Sequence, residues 1–417
     1  MNCPAYTCFE RGRGIGNFSL SALLDRPGVR ELLEGLVEIS KRGDALLHVE
    51  FPTGYGKSTA SMLIASALNG KLKAYSELAE YAERVIHIVP TRYLVEDLVE
   101  KALKFGVNAR GQCMFFDPSL KDPFFLSSLV FTTYDSYASN FFKIPVGEVE
   151  LIRAGYTRGH FDVPRYSIMS AVNVLDEYHL LTPADSSVEG VSSYASRSWT
   201  TLYVMVTSLV QNYGTPVILE TATPRPQVLT RLKRRVECLR VVLKLKQDTA
   251  APPGARVVYD EDFASKLCEA KYRTELVNGD IAFFVEKKLK DLERPLLIAC
   301  NTVRSAMEIY KLVKNQCEAV LIHSQFTIGD RERKLHQARR LLKKEGIVVA
   351  TQVIEVGIDL DFTTLVTDAA PLASLVQRVG RVNRRLKEGS HNVYVLYDNS
   401  GAKEDSYRGV YSLRLTL

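Results

Sequence analysis

The sequence predicts an α/β protein of two successive units, each a mostly parallel sheet covered by helices. Three observations point there. Short β-rich runs alternate with longer helical stretches along most of the 417 residues. A phosphate-loop motif, Phe51-Pro52-Thr53-Gly54-Tyr55-Gly56-Lys57-Ser58, joins an apolar run to a helical one. The alternation breaks at two turn-rich stretches, Thr223-Pro224-Arg225-Pro226 and 249–254, then resumes without a second phosphate loop. The length suits two domains of about 200 residues better than one. The break places the boundary near residue 228, giving units 1–228 and 229–417.

Residues 20–41 read as a helical stretch, with Leu20, Leu23, Leu24, Val29, Leu32, Leu33, Leu36 and Val37 at helical spacing and a division at Pro27-Gly28. Residues 45–49 read as a strand and 59–65 as a helix, with the phosphate loop between them. In such a cradle, backbone N–H groups from Thr53 to Thr59 wrap phosphates. Lys57 reaches the β and γ phosphates of a nucleoside triphosphate, and the Ser58 hydroxyl can hold magnesium. Further strands of the first unit are expected at 84–89, 128–132, 170–175 and 216–220. Those of the second are expected at 295–300, 318–322, 346–351, 365–368 and 392–397.

Composition narrows the class. The apolar fraction of 46% supports full cores, yet no run of 18 apolar residues occurs, so no membrane span is expected. The N-terminus lacks the ordered regions of a signal peptide. Seven cysteines, an odd number without C-x-x-C spacing, predict free thiols in a reducing, cytoplasmic setting. A net charge of +6 permits nucleic-acid binding without establishing it. The basic runs at 231–235 and 331–344 read equally as solvated helix faces or as binding surfaces.

Strand ends carry the candidate chemistry, as parallel sheets place their sites there. Asp176-Glu177 ends an apolar strand, and the pair suits phosphoryl transfer. Asp176 can hold the metal that Ser58 also contacts, while Glu177 stays available to orient and deprotonate a water. His179 reads either as a bridge toward Gln377 or as a satisfied structural histidine. Thr221 and Thr223 put two hydroxyls at the next strand end, placed to couple nucleotide state to the rest of the site. Arg378, Arg381 and Arg384 recur every three residues, which on a helix gives one cationic face. Arg381 and Arg384 are the candidates to stabilise charge on a transferring phosphoryl group. Gly380 inside that run implies close approach of another segment. Gly357 allows tight backbone approach, and Asp359 suits a ribose hydroxyl or a finger arginine. Thr91, Arg92, Thr132, Thr133, Thr351 and Gln352 offer hydroxyls, a guanidinium and an amide at strand ends, suited to a phosphodiester backbone. The aromatic cluster from Tyr134 to Tyr166 either stacks on bases or packs as ordinary core.

In order and spacing, Pro52–Ser58, Pro90–Arg92, Thr132-Thr133, Asp176–His179, Thr221–Thr223, Thr351–Asp359 and Gln377–Arg384 resemble the motor core of superfamily 2 nucleic-acid helicases. Within it, Asp176-Glu177-Tyr178-His179, Leu321-Ile322-His323-Ser324-Gln325-Phe326 with Asp330-Arg331, and the last two motifs resemble the signature helicase of type I CRISPR systems. The resemblance implies two RecA-like domains with ATP and Mg2+ between them and single-stranded DNA or an opened duplex across the top. It implies a 3′-to-5′ motor working as a monomer after a guide-RNA complex has opened DNA. Ser324 joins the nucleic-acid contacts and Gln377 the catalytic set on the same basis. No His-Asp pair occurs, and the phosphate loop begins about fifty residues in, so cleavage is expected from a separate HD nuclease subunit. Two other readings share the core: an RNA-dependent ATPase, and a nucleotide-binding scaffold of an effector complex.

Overall fold

The computed structural model describes residues 20–114, 116–181, 193–246, 252–355, 360–384 and 389–397. The first strands are β1 (Ala45–Glu50), β2 (Arg84–Val89), β3 (Ala109–Gln112), β4 (Leu129–Thr133), β5 (Ala171–Asp176), β6 (Val217–Thr221), β7 (Glu237–Lys244) and β8 (Ala255–Tyr259). They form one parallel sheet in the order β3-β4-β2-β5-β6-β1-β7-β8. A second parallel sheet uses β9 (Ala270–Asn278), β10 (Leu296–Ala299), β11 (Ala319–Ile322), β12 (Ile347–Ala350), β13 (Thr364–Asp368) and β14 (Gly389–Tyr397). Its order is β11-β12-β10-β13-β14-β9.

Parallel sheets are covered on both faces, so their strands are continuously apolar rather than alternating. β1 and β5 show this, being buried from end to end apart from the half-buried Glu50. Two apolar clusters lie in the first unit and two in the second. The helix Pro27–Arg42 contributes Val29, Leu32, Leu33, Leu36 and Ile39 to the first core. Pro27 opens it and Gly43, at φ 68°, closes it by donating its N–H to the Ile39 carbonyl. A 3-10 turn, Leu20–Asp25, precedes it, so the division at Pro27 is where the sequence places it.

The first sheet does not stop near residue 228. β7 and β8 extend it to Tyr259, beyond the basic stretch 231–235. Their place is fixed by pairing: β7 runs alongside β1 from Ala45↔Glu237 to Glu50↔Val242. A side-chain bond reinforces the register, the Arg240 guanidinium donating to Glu50 Oε1 at 2.6 Å. The crossing to the second sheet is the helix Glu261–Glu269, which runs straight into β9. No helix among the described residues is long and apolar enough to cross a membrane.

Cutting the chain after 228 should therefore strip β1 of a neighbour and expose the edge of a buried strand. We expect a 1–228 fragment to aggregate or melt well below a 1–269 fragment in thermal denaturation. Equal melting temperatures would contradict this assignment of β7 and β8.

Candidate functional site

The phosphate loop turns between β1 and the helix Lys57–Leu68, with Gly54 at φ 83° and Gly56 at φ 114°. Side chains are strained at such angles, which explains glycine at both positions. The Lys57 ammonium is buried at the helix start, donating to the Phe51 carbonyl at 3.0 Å and lying 3.6 Å from Glu177 Oε1. Asp176 and Glu177 meet it from the end of β5. Glu177 sits in the left-handed region at φ 50°, a conformation costing about 1–3 kcal/mol that the surroundings must hold.

The surroundings are polar and specific. His179 Nδ1 lies 2.9 Å from Thr221 Oγ1 and 3.3 Å from Glu177 Oε2, while its Nε2 lies 3.2 Å from Thr223 Oγ1. The Thr223 N–H donates to Thr221 Oγ1 at 2.9 Å. The structure thus brings Glu177, His179, Thr221 and Thr223 into one network at the ends of β5 and β6. Burial pushes the Glu177 carboxyl up, but Lys57, His179 and the Ala222 N–H outweigh it and hold it well below the usual carboxylate range. The group is a carboxylate at neutral pH.

Asp176 is different. It is 9% exposed, and its Oδ1 has no hydrogen-bond partner. An orphaned buried carboxylate oxygen is costly unless something fills the place beside it. Sequence reasoning missed its neighbour Glu220, paired in register with Asp176 across β5 and β6 and fully buried. Burial, then the Asp176 charge, drive the Glu220 carboxyl well above its usual range, which favours its neutral form. Its position inside β6 reads as strand, and only the tertiary pairing shows what it faces.

The second unit supplies the opposite wall. A cavity of about 340 Å³ is lined by Thr53, Gly54, Gly56, Lys57, Ser58, Thr59, Asp176 and Glu177 from one side, and by Glu355, Gln377, Gly380, Arg381 and Arg384 from the other. Gln377 is 6% exposed and its Nε2 has no hydrogen-bond partner. A Cβ on Gly380 would stand 2.9 Å from Thr53 Oγ1, so the close approach expected there is the contact between the two units. Arg339 also reaches Asp97 of the first unit at 3.2 Å.

The three arginines do not share a helix face. The helix Leu372–Val379 ends before Gly380, so only Arg378 lies on it. Arg378 is fully buried, bonded through Nε to Glu355 Oε1 at 2.8 Å, and through Nη1 and Nη2 to Thr367 Oγ1 at 2.7 Å and Asn301 Oδ1 at 3.0 Å. Arg381 donates to the Ile354 carbonyl at 2.9 Å and the Glu355 carbonyl at 2.6 Å. The Arg384 N–H is anchored on Asp361 at 2.8 Å. Buried Arg378 is therefore the strut on which the loop bearing the other two is built. Gly357 and Asp359 lie outside the described residues. The Tyr55 side chain points away from the cradle into the core.

A second concavity of about 710 Å³ spans the units and contains Thr91, Arg92, Tyr93, Thr133, Tyr134, Arg331 and Gln352. Thr91 Oγ1 and Tyr93 Oη are buried there without partners. The Arg331 guanidinium sits 5.7 Å from the Tyr93 ring centre and donates to the Ser324 carbonyl at 2.7 Å. Four of the expected backbone contacts thus share one groove, with exposed Ser324 at its border. Thr132 and Thr351 do not line it. Thr132 is fully buried and donates to the Gln112 carbonyl at 2.7 Å, because β4 is covered on both faces as far as Thr132 and opens only at Thr133; Thr351 is 2% exposed. Of the aromatic cluster, Tyr134, Tyr137 and Phe141 are core, while Tyr156 and Tyr166 are exposed.

Residues 34–230 match the DEAD/DEAH box helicase family model, and 293–387 match the C-terminal model of the CRISPR-associated nuclease/helicase Cas3. The CRISPR-associated helicase Cas3 of Thermoproteus tenax is 25% identical over 382 residues, covering 87% of this chain and 58% of that one. The chain is homologous to Cas3-type helicases of superfamily 2. A putative Cas3 nuclease/helicase of Methanocaldococcus jannaschii is 35% identical over 114 residues, 26% of this chain and 15% of the relative. The fold agrees with crystal structures of T. fusca Cas3 (TM-score 0.64, 17% identity, 96% of this chain and 50% of that one). It also agrees with S. cerevisiae Dbp5 bound to RNA and ADP BeF3 (TM-score 0.55, 15% identity, 94% of each chain). The tandem RecA-like architecture is thus shared, and the chain spans little more than half the length of the Thermoproteus relative.

Removing Arg378 would take one shared buried partner from Glu355, Thr367 and Asn301. We expect Arg378→Ala to cost about 3–5 kcal/mol in denaturant unfolding of the second unit. Arg378→Met with Glu355→Leu should recover most of it. A loss near zero for the single change would contradict the strut.

Proposed function

We propose that this chain is an ATP-driven motor that moves 3′-to-5′ along single-stranded DNA as a monomer. The observation that carries this is the cleft itself: an ammonium and two carboxylates of one unit face a glutamine and two arginines of the other. Residues from two bodies around one cavity make ligand occupancy a matter of how the bodies sit. That is the coupling a translocase needs.

The residues present fit a metal-bound triphosphate. Asp176 Oδ1 and Gln377 Nε2 are buried, unpartnered and on the cavity wall. Ser58 and Asp176 would hold the magnesium, which when bound neutralises phosphate charge. Lys57 exchanges the Phe51 carbonyl for the phosphates. Glu177, held ionised, orients the attacking water through an oxygen that His179 and Thr221 keep in place. As Lys57 turns its charge toward phosphate, its depressing effect on Glu177 weakens, and the carboxylate gains basicity. Arg381 and Arg384 stabilise the charge that develops as the phosphoryl group leaves. Thr91, Arg92, Thr133, Gln352 and Arg331 hold a strand by its backbone, so movement is independent of sequence. The homology supports DNA in a CRISPR setting, and a solved neighbour is an RNA-guided surveillance complex in a pre-nicking state (TM-score 0.60, 18% identity). The guide-RNA effector complex is the proposed partner, and cleavage is assigned to an HD nuclease outside these two motor units.

Glu177→Gln should keep ATP binding and lower turnover at least about 100-fold, the usual scale for losing a general base. Displacement assays on 3′-tailed and 5′-tailed duplexes should show unwinding of the first only, with ATP and magnesium. ATP hydrolysis should be stimulated by single-stranded DNA more than by RNA. Preferential stimulation by RNA would replace this reading with an RNA-dependent ATPase.

A further inference from the structure

Two residues of the phosphate loop are bulkier than a phosphate cradle requires. Phe51 and Tyr55 are 1% and 0% exposed, and neither side chain lines the nucleotide cavity. Their rings form a ladder. Phe51 meets Tyr55 edge-on at 5.0 Å between centres, and Tyr55 meets Phe263 edge-on at 5.0 Å. The Tyr55 hydroxyl donates to Asp260 Oδ2 at 2.7 Å and accepts from the Gly28 N–H at 3.0 Å. Gly28 is glycine for this reason, since a Cβ there would lie 2.7 Å from the Tyr55 ring. Arg26 donates to the Tyr55 carbonyl.

Asp260 and Phe263 belong to the passage between the units. The other Asp260 oxygen, Oδ1, accepts from the Phe263 N–H at 2.9 Å and caps the helix Glu261–Glu269. That helix runs without a loop into β9, which pairs along its whole length with β14 of the second sheet. At the other end, Phe51 supplies the carbonyl on which Lys57 rests. A continuous set of buried contacts therefore leads from the phosphate-binding lysine to Asp260 and Phe263 at the start of the connecting helix, whose far end continues directly into the first strand of the second unit.

We infer that Tyr55 and Asp260 are positioning residues that tie the phosphate loop to the connecting helix, so that nucleotide binding in the first unit repositions the second. The inference rests on the nucleotide-motor reading above. Neither residue touches the reacting atoms. Burial, then the hydrogen bond to Asp260, push the Tyr55 phenol above its usual range, which keeps it a hydrogen-bond donor. Triphosphate entry reorders the backbone around residue 55, and the hydroxyl carries that shift to the helix cap. An Asn at 260 has a single acceptor oxygen. With that oxygen capping the helix, the Tyr55 hydroxyl has no carboxylate to donate to.

The test is amide hydrogen exchange of the full chain with and without a non-hydrolysable ATP analogue, alongside the analogue's affinity. In the wild type, the analogue should slow exchange over 261–269 about fivefold or more, the lower end of ordinary coupling between sites. Tyr55→Phe keeps the ring packing and removes only the hydroxyl, so it should lose the slowing. Asp260→Asn, at a residue outside the phosphate loop, should bind the analogue within about twofold of wild type yet lose the slowing, and the double variant should lose no more of it than either. In both, more ATP should be spent per base pair displaced. A purely structural role would lower melting temperature while leaving the nucleotide-dependent slowing intact, and that result would overturn the inference. So would an unchanged helix 261–269 in a wild type that binds the analogue. A wild type that binds no analogue would instead remove the nucleotide reading on which the inference stands.

Discussion

A buried charge must be paired or must shift its ionisation, and the floor of this cleft holds four ionisable groups within one sheet-end. Lys57 and Glu177 pair with each other, Glu220 is driven toward its neutral form, and Asp176 Oδ1 has no hydrogen-bond partner. That imbalance organises the rest. The strained φ of Glu177, the two hydroxyls on His179 and the glycines of the loop are all arranged so that this cluster stays ordered before its ligand arrives. Preorganisation of this kind avoids reorganisation cost at the moment of reaction.

The second unit answers with a different device. Its contribution is a loop, and a loop needs a rigid support to present arginines to within hydrogen-bonding precision. Fully buried Arg378 gives that support by bridging Glu355, Thr367 and Asn301 on three separate segments. Arg381 leans on the same region through the Ile354 and Glu355 carbonyls. A buried ion pair of this sort adds little net stability over apolar packing, but it fixes one arrangement and penalises others strongly. Gly380 then lets that arrangement press against Thr53 across the cleft.

Much of this was legible in the residues. The phosphate loop, the carboxylate pair and the hydroxyls at 221 and 223 sit at strand ends, and strand ends of a parallel sheet converge by geometry alone. The buried runs of β1, β2, β5 and β6 are apolar enough to place within a residue or two. The failures share a cause. The three-residue spacing of Arg378, Arg381 and Arg384 speaks to a helix only while the helix lasts, and it stops at Val379. The membership of β7 and β8 is decided by backbone pairing back to β1, across a separation of 190 residues at Glu50 and Arg240, whose side-chain bond reinforces it. Thr132 is buried because β4 is covered on both faces up to its last residue, which a motif does not reveal. Glu220 and the direction of Tyr55 depend on what lies across the core, and local spacing contains no record of that.

The central claim is that one triphosphate is held from both units at once, with the arginines acting on the transferring group. Affinity for ADP with aluminium fluoride, set against affinity for ADP alone, measures this directly, since the analogue presents the charge that develops during transfer. The account predicts that wild type binds the analogue far more tightly than ADP, and that the Arg381→Ala, Arg384→Ala double variant loses most of the difference while binding ADP as before. A double variant that kept the full preference for the analogue would show that the second unit takes no part in the chemistry.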